Sequence, residues 1–119
     1  MLDENLSRAE RIARLNDRAR SGFDPSARIM FTRGCLDAFC SGDTSAGLLT
    51  QAQLIAAIRR HRFDEDAWGE RDFGRLIFEG QTIFFKVDYY DTNLEFGSED
   101  PADPSVTARL VTIMLASEY

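Results

Sequence analysis

Histidine and lysine occur once each in this 119-residue chain, as His61 and Lys86, and cysteine twice, as Cys35 and Cys40. Structural zinc sites draw four ligands from Cys and His, so a single His and two Cys exclude that framework, and no metal or cofactor is expected. Five residues apart, the cysteines could meet on one helical turn. Nothing secretory supports a disulfide, and two small half-buried thiols are the simpler expectation. No apolar run approaches the roughly 20 residues of a membrane-spanning helix. Met1-Leu2-Asp3-Glu4-Asn5 has neither the basic start nor the apolar stretch of a secretory signal, which points to the cytoplasm. Phosphate-loop, dinucleotide, nucleophile-elbow and zinc-protease motifs are all missing. Asp88–Glu95 has the wrong spacing for a calcium loop and lacks its central glycine. The strong preference for Arg over Lys is often set by genomic base content and carries little functional weight.

What remains is a chain that can fold. Hydrophobic residues make up 44% and aromatics 11%, ordinary values for a globular protein of this size. One domain over residues 1–119 is expected, long enough to bury a core without staples. Charge is unevenly distributed. Residues 1–62 hold ten Arg against seven acids (+3), residues 63–119 four Lys+Arg against thirteen acids (−9), which sum to the net −6. An acidic balance argues against direct nucleic-acid binding, because neutralising phosphates takes a concentrated basic face.

Hydrophobic periodicity predicts an α+β fold. A helix is expected over 6–20, with Leu6, Ala9, Ile12, Ala13 and Asn16 on one weak stripe and Gly22 as terminator. Arg8, Arg11, Arg14 and Arg18 share its other face, as a solvated surface or as a dock for an acidic partner. A strand near 28–33 follows, then a short helical turn at Cys35–Cys40 and a loop over 41–47. Thr50 with Gln53 fits a capping box, flanked by a Leu49–Leu54 staple, which starts a helix over 50–61. Its closing Arg59-Arg60-His61-Arg62 complements the negative end of the helix dipole.

The alternation of Leu76, Phe78, Ile83, Phe85, Val87 and Tyr89 marks a hairpin that turns at Glu79-Gly80 or Gly80-Gln81. Its second face carries Phe84, Lys86, Asp88 and Tyr90. A third strand, Leu94-Glu95-Phe96, would complete a meander over 73–97. Asp103 and Pro104 read as the cap and first residue of a last helix, 104–117, apolar around most of its girth. The predicted architecture is an antiparallel sheet built on that meander and packed by the helices.

Residues that could carry chemistry are few. Glu70, Asp72, Asp88 and Asp91 surround the hairpin and could converge as an acid–base pair or weak metal site. Carboxylates at strand ends more often cap turns. Lys86 is expected to pair with a neighbouring acid, and His61 has no orienting partner in the sequence. For binding, aromatic side chains with polar tips dominate interface hot spots. Trp68, Phe84 and Tyr90, with Glu70, Asp88 and Glu95 around them, are the candidate contact residues of an acidic surface.

The runs Gly69-Glu70-Arg71-Asp72-Phe73-Gly74, Phe85-Lys86-Val87-Asp88-Tyr89-Tyr90-Asp91, Gly97–Pro104 and Leu110–Ala116 resemble a family of small bacterial proteins known only as a domain of unknown function. Arg11–Asp17 and Phe31-Thr32-Arg33-Gly34 resemble its N-terminal pattern, leaving a variable middle from about Cys35 to Glu65. Members are typically alphaproteobacterial and often encoded beside plasmid or other mobile-element genes. The position of Arg71 is commonly His among them, so a catalytic imidazole there would be missing from this chain. What the resemblance implies is an accessory factor of mobile DNA. Three functional readings follow: a non-enzymatic acidic protein that binds an unidentified protein partner, in one version as a DNA-mimicking inhibitor; a small acid–base or metal-assisted enzyme; and a structural homo-oligomer.

Overall fold

Three helices lie against one face of a four-stranded mixed sheet in this computed structural model, which describes residues 6–40, 44–63 and 69–119. The chain runs α1 (Arg8–Arg20), β1 (Arg28–Phe31), α2 (Arg33–Phe39), α3 (Thr44–Arg59), β2 (Phe73–Phe78), β3 (Gln81–Tyr90) and β4 (Ala108–Leu115). Strand order is β1-β4-β3-β2, antiparallel except where β1 joins β4. The fold is α+β as expected, but the sheet is not purely antiparallel. Among the described residues no helix is long and apolar enough to cross a membrane.

The predicted last helix is a strand. Ala108–Leu115 forms β4, the inner strand between β1 and β3. Of the six residues that follow Arg109 only Thr112 is polar, and because the strand is buried along nearly its whole length it shows no polar alternation. That continuous pattern imitates a helix apolar all round, while Val111, Thr112 and Ile113 supply the β-branching that favours a strand. Asp103 caps no helix. Its Oδ1 accepts from the Ser105 N–H at 2.9 Å and from Ser105 Oγ at 2.7 Å, closing a turn.

Two further expectations are corrected. Residues 94–96 form no strand, so the meander reduces to the 73–90 hairpin with an isolated bridge from Tyr90 to Gly97. Leu94 has a φ of 61°, incompatible with extended backbone. α3 begins at Thr44, six residues before the expected cap. Thr50 lies inside it, donating its hydroxyl to the Ala46 carbonyl at 3.0 Å, a side-chain bond that imitates a cap signal in sequence. The true caps are Ser7, whose Oγ accepts from the Glu10 N–H, and Thr32, which does the same for Cys35.

The hairpin turns at Glu79-Gly80, with φ of 50° and 79°, the mirror-image turn that matches strand twist. Pairing of Leu76 with Ile83 and Gly74 with Phe85 puts these residues on the helix-covered face. An added Cβ on Gly74 would lie 2.2 Å from the Phe85 ring, so the glycine is what lets that ring lie down. Cys35, Leu54, Ile58, Ile83, Phe85 and Ile113 form the main core, and Ala19, Val87 and Val111 a second cluster under α1. His61 packs edge-on to Phe85 and Phe63.

Candidate binding surfaces

Alternation along β4 and β3 leaves a second face, that of Met30, Phe84, Lys86, Asp88, Tyr90, Thr112 and Met114, outside both core clusters. Its feature is an aromatic cluster. Phe73 and Phe84 sit diagonally on β2 and β3 with ring centroids 5.1 Å apart, and Tyr119 lies over both at 5.3 and 5.6 Å. Phe73 is 37% and Tyr119 75% exposed, and Ile77 beside them is 59% exposed. Such ring pairs attract one another beyond the area they bury. Left open to water, they form an unsatisfied apolar patch.

Charge on this face runs opposite to that of the whole molecule. Arg28, Arg75 and Lys86 stand against one acid, Asp88. Lys86 Nζ is 2.8 Å from Asp88 Oδ2, the pairing that sequence suggested, and this bond holds the ammonium pKa above its ordinary value. Arg28 and Arg75 have no ion pair among the described residues.

On the covered face, α1 meets the sheet through a polar seam beside the apolar Ala19–Val87–Val111 cluster. Asn16, fully buried, uses both ends of its amide. Nδ2 donates to Tyr89 Oη at 2.8 Å and to the Glu70 carbonyl at 2.9 Å, while Oδ1 accepts from Arg109 Nε at 2.6 Å. Tyr89 in turn donates to Glu70 Oε1 at 2.9 Å, and the Arg109 guanidinium lies 5.0 Å from the Tyr89 ring centre. Burial pushes the Tyr89 phenol above its usual range and the Arg109 guanidinium below its own.

Arg71, at φ 52°, grips Asp17 through Nε and Nη2, the latter at 2.8 Å, and reaches Glu10 at 3.2 Å. The Asp17 hydrogen bonds raise its pKa, and Arg71 lowers that of Glu10. The Gly69–Gly74 motif is thereby accounted for. Gly69 and Arg71 adopt left-handed turns that thread the segment under α1, and Gly74 admits Phe85.

The sequence-derived site residues do not converge. Asp88 is on the open face. Glu70 is beneath α1, bonded to Tyr89. Asp91 caps a turn, its Oδ1 accepting from the Asn93 and Glu95 N–H groups at 3.2 and 3.0 Å. Asp72 precedes β2 and accepts through its carbonyl from Val87 at 2.8 Å. Among the described residues no three His, Cys, Asp or Glu side chains gather as metal ligands. Of the binding candidates, Phe84, Asp88 and Tyr90 share the open face. Glu70 lies on the other, Glu95 is in the loop after β3, and Trp68 lies outside the described residues.

Sequence reasoning missed Phe73 and Tyr119, and the seam residues Arg109 and Asn16. The available signals were an amide on the apolar stripe of α1 and an arginine leading an apolar run.

The model of the family described as "Protein of unknown function (DUF3768)" matches residues 40–118. No curated protein and no solved structure matches the chain.

Proposed function

Since the chain belongs to the DUF3768 family, whose members share no stated activity, its function has to be read from its own surface, and we propose a non-enzymatic protein-binding domain that docks through the open sheet face. The observation that carries this reading is the Phe73–Phe84–Tyr119 cluster, partly exposed on a face that none of α1, α2 and α3 covers among the described residues. Aromatic anchors ringed by charge supply affinity at the centre and steering at the rim. The partner patch that fits is apolar at its centre and carries carboxylates opposite Arg28 and Arg75.

A DNA-mimicking inhibitor would require a continuous run of free carboxylates. Five of the acids are engaged singly: Asp88 with Lys86, Asp100 with Arg8, Glu70 with Tyr89, Asp91 and Asp103 in turns. Docking therefore fits the distribution of charge better than mimicry, and the separation of Glu70 from Asp88 removes support from an acid–base pair.

The test places a photo-crosslinking residue at Ile77 on the open face and, as control, at Leu48 on α3, both well exposed. A partner captured from Ile77 alone is then purified and titrated against Phe73→Ala and Tyr119→Ala, each expected to weaken binding tenfold or more. Equal capture from Leu48, or unchanged affinity in both variants, would overturn the proposal. Capture of a second copy of the chain would replace it with self-association.

A further inference from the structure

On the helical side, remote from the open face, α1 and the segment 102–104 enclose a groove of about 350 Å³. Arg11, Arg14 and Arg18 line it, with Leu6, Leu15 and Pro104 among its apolar contacts. We propose that this groove is a second binding site, one that takes an acidic, leucine-rich peptide segment. Three guanidiniums at positions i, i+3 and i+7 span about 10 Å of helix. Carboxylates on one side of an extended peptide repeat at about 6.6–6.8 Å, so two of them fit within that length. The peptide's alternate side chains then face Ala102 and Pro104 on the opposite wall, with the stems of its carboxylate side chains passing Leu15.

The arginines are only lightly committed. Arg14 shares Glu10 with Arg71, Arg18 reaches the Phe23 carbonyl only at 3.5 Å, and Arg11 has no ion pair among the described residues. Lightly engaged guanidiniums beside apolar side chains match a ligand that is both anionic and greasy. A bare polyanion would leave Leu6, Leu15 and Pro104 unused.

The opposite wall is held in place before any ligand arrives. Asp100 pairs with Arg8, and its Oδ1 accepts from the Ala102 N–H at 3.1 Å. Thr107 Oγ1 donates to the Asp100 carbonyl at 2.8 Å, and the buried Arg109 donates to the Pro101 carbonyl. The seam under α1 therefore also fixes the groove's far side. Binding to a preformed groove avoids the ordering cost that a floppy loop would add.

Fluorescence anisotropy of the intact chain tests this with a fluorescein-labelled ten-residue peptide alternating Glu and Leu. Deca-glutamate and a ten-nucleotide oligothymidylate serve as competitors. Saturable binding is expected, with Arg11→Glu weakening it at least tenfold and Ala102→Leu, which fills the groove without touching an arginine, doing the same. Arg33→Glu, on exposed α2, should leave affinity within twofold. Circular dichroism confirms that each variant is folded, and the paired loss in both groove variants is the supporting result. Wild-type affinity in Arg11→Glu and Ala102→Leu would overturn the proposal, as would equal weakening by Arg33→Glu. Competition by the oligonucleotide below the peptide's own dissociation constant would overturn it in favour of a phosphate site. Phe73→Ala should not alter peptide binding, which keeps this outcome separate from that of the open face.

Discussion

Both faces of the sheet carry aromatic and aliphatic side chains, yet among the described residues only one has a layer of helices over it. On the covered face Ile83, Phe85, Val111 and Ile113 are sealed by α2, α3 and α1. On the other, Met114 and Thr112 on the inner strand are also buried, while Phe73, Ile77 and Tyr119 stay in water. The difference separates what folding needs from what folding leaves over. An apolar residue under a helix contributes to stability, whereas one on the open face contributes little until something covers it.

That contrast can be broken most sharply at Phe85. Phe85→Ala should cost about 3–5 kcal/mol in a urea melt, because the ring fills the contact between Gly74, Ile58 and His61. Phe84→Ala, one residue along and on the other face, should cost less than half as much. Equal losses would mean that the open face is part of the core.

Next comes the seam. Asn16→Leu removes an amide that satisfies Arg109, Tyr89 and the Glu70 carbonyl, leaving them buried without it. A loss of about 2–4 kcal/mol is expected, larger than its gain in apolar area would suggest. If the variant is as stable as wild type, water must replace the amide and the seam is wetter than its burial implies.

The pH response sharpens the comparison from the titrating groups. Glu10, Asp100 and Glu118 are held below their ordinary values chiefly by Arg71, Arg8 and Thr32. Their contribution is present above the unfolded carboxylate range, about pH 4, and is lost as pH falls through the folded values. Cys35, raised to about 11 by burial, acts oppositely. It contributes stability below its ordinary 9.0, and that stability is lost as pH rises from there through 11. Urea midpoints at pH 7, 9 and 10.5 should fall, and Cys35→Ala should flatten part of the fall. An unchanged alkaline slope would remove Cys35 as its source.

The smallest effect is chemical. Iodoacetamide at pH 7.5 should label half-buried Cys40 before Cys35, which sits in the core as a neutral thiol. Faster labelling of Cys35 would show that α2 opens readily from the sheet.

The legible parts of the sequence were those with one local period. α1 and the hairpin were readable because each has a single buried side, and the Glu79-Gly80 turn was among the two offered. β4 was not, since burial along nearly its whole length erases the alternation by which strands are recognised. The cap at Thr50 failed for a related reason: a hydroxyl bonding back within a helix and one capping its start look alike in sequence. For the candidate surfaces, Phe84, Asp88 and Tyr90 were correctly grouped from their spacing of two along β3. Phe73 joined them only once the hairpin register was known, and Tyr119 only through the path of the chain after β4. The acidity of residues 63–119 does not by itself locate a surface, because net charge counts acids without showing which, like Asp91 and Asp103, are tied up in turns.

The parallel joining of β1 to β4 bears on how the chain assembles in time. Arg28 pairs with Leu110, a separation of 110 − 28 = 82 residues, and the α1 seam to Arg109 spans 93. Contacts so distant in sequence carry a high loop-closure cost and slow the search for the native arrangement. The hairpin, by contrast, closes on itself within a two-residue turn and can form early. During synthesis, therefore, Ile29 and Phe31 emerge long before the strand that will shelter them, and the Asn16 side-chain oxygen of α1 waits for the Arg109 guanidinium until β4 has been made.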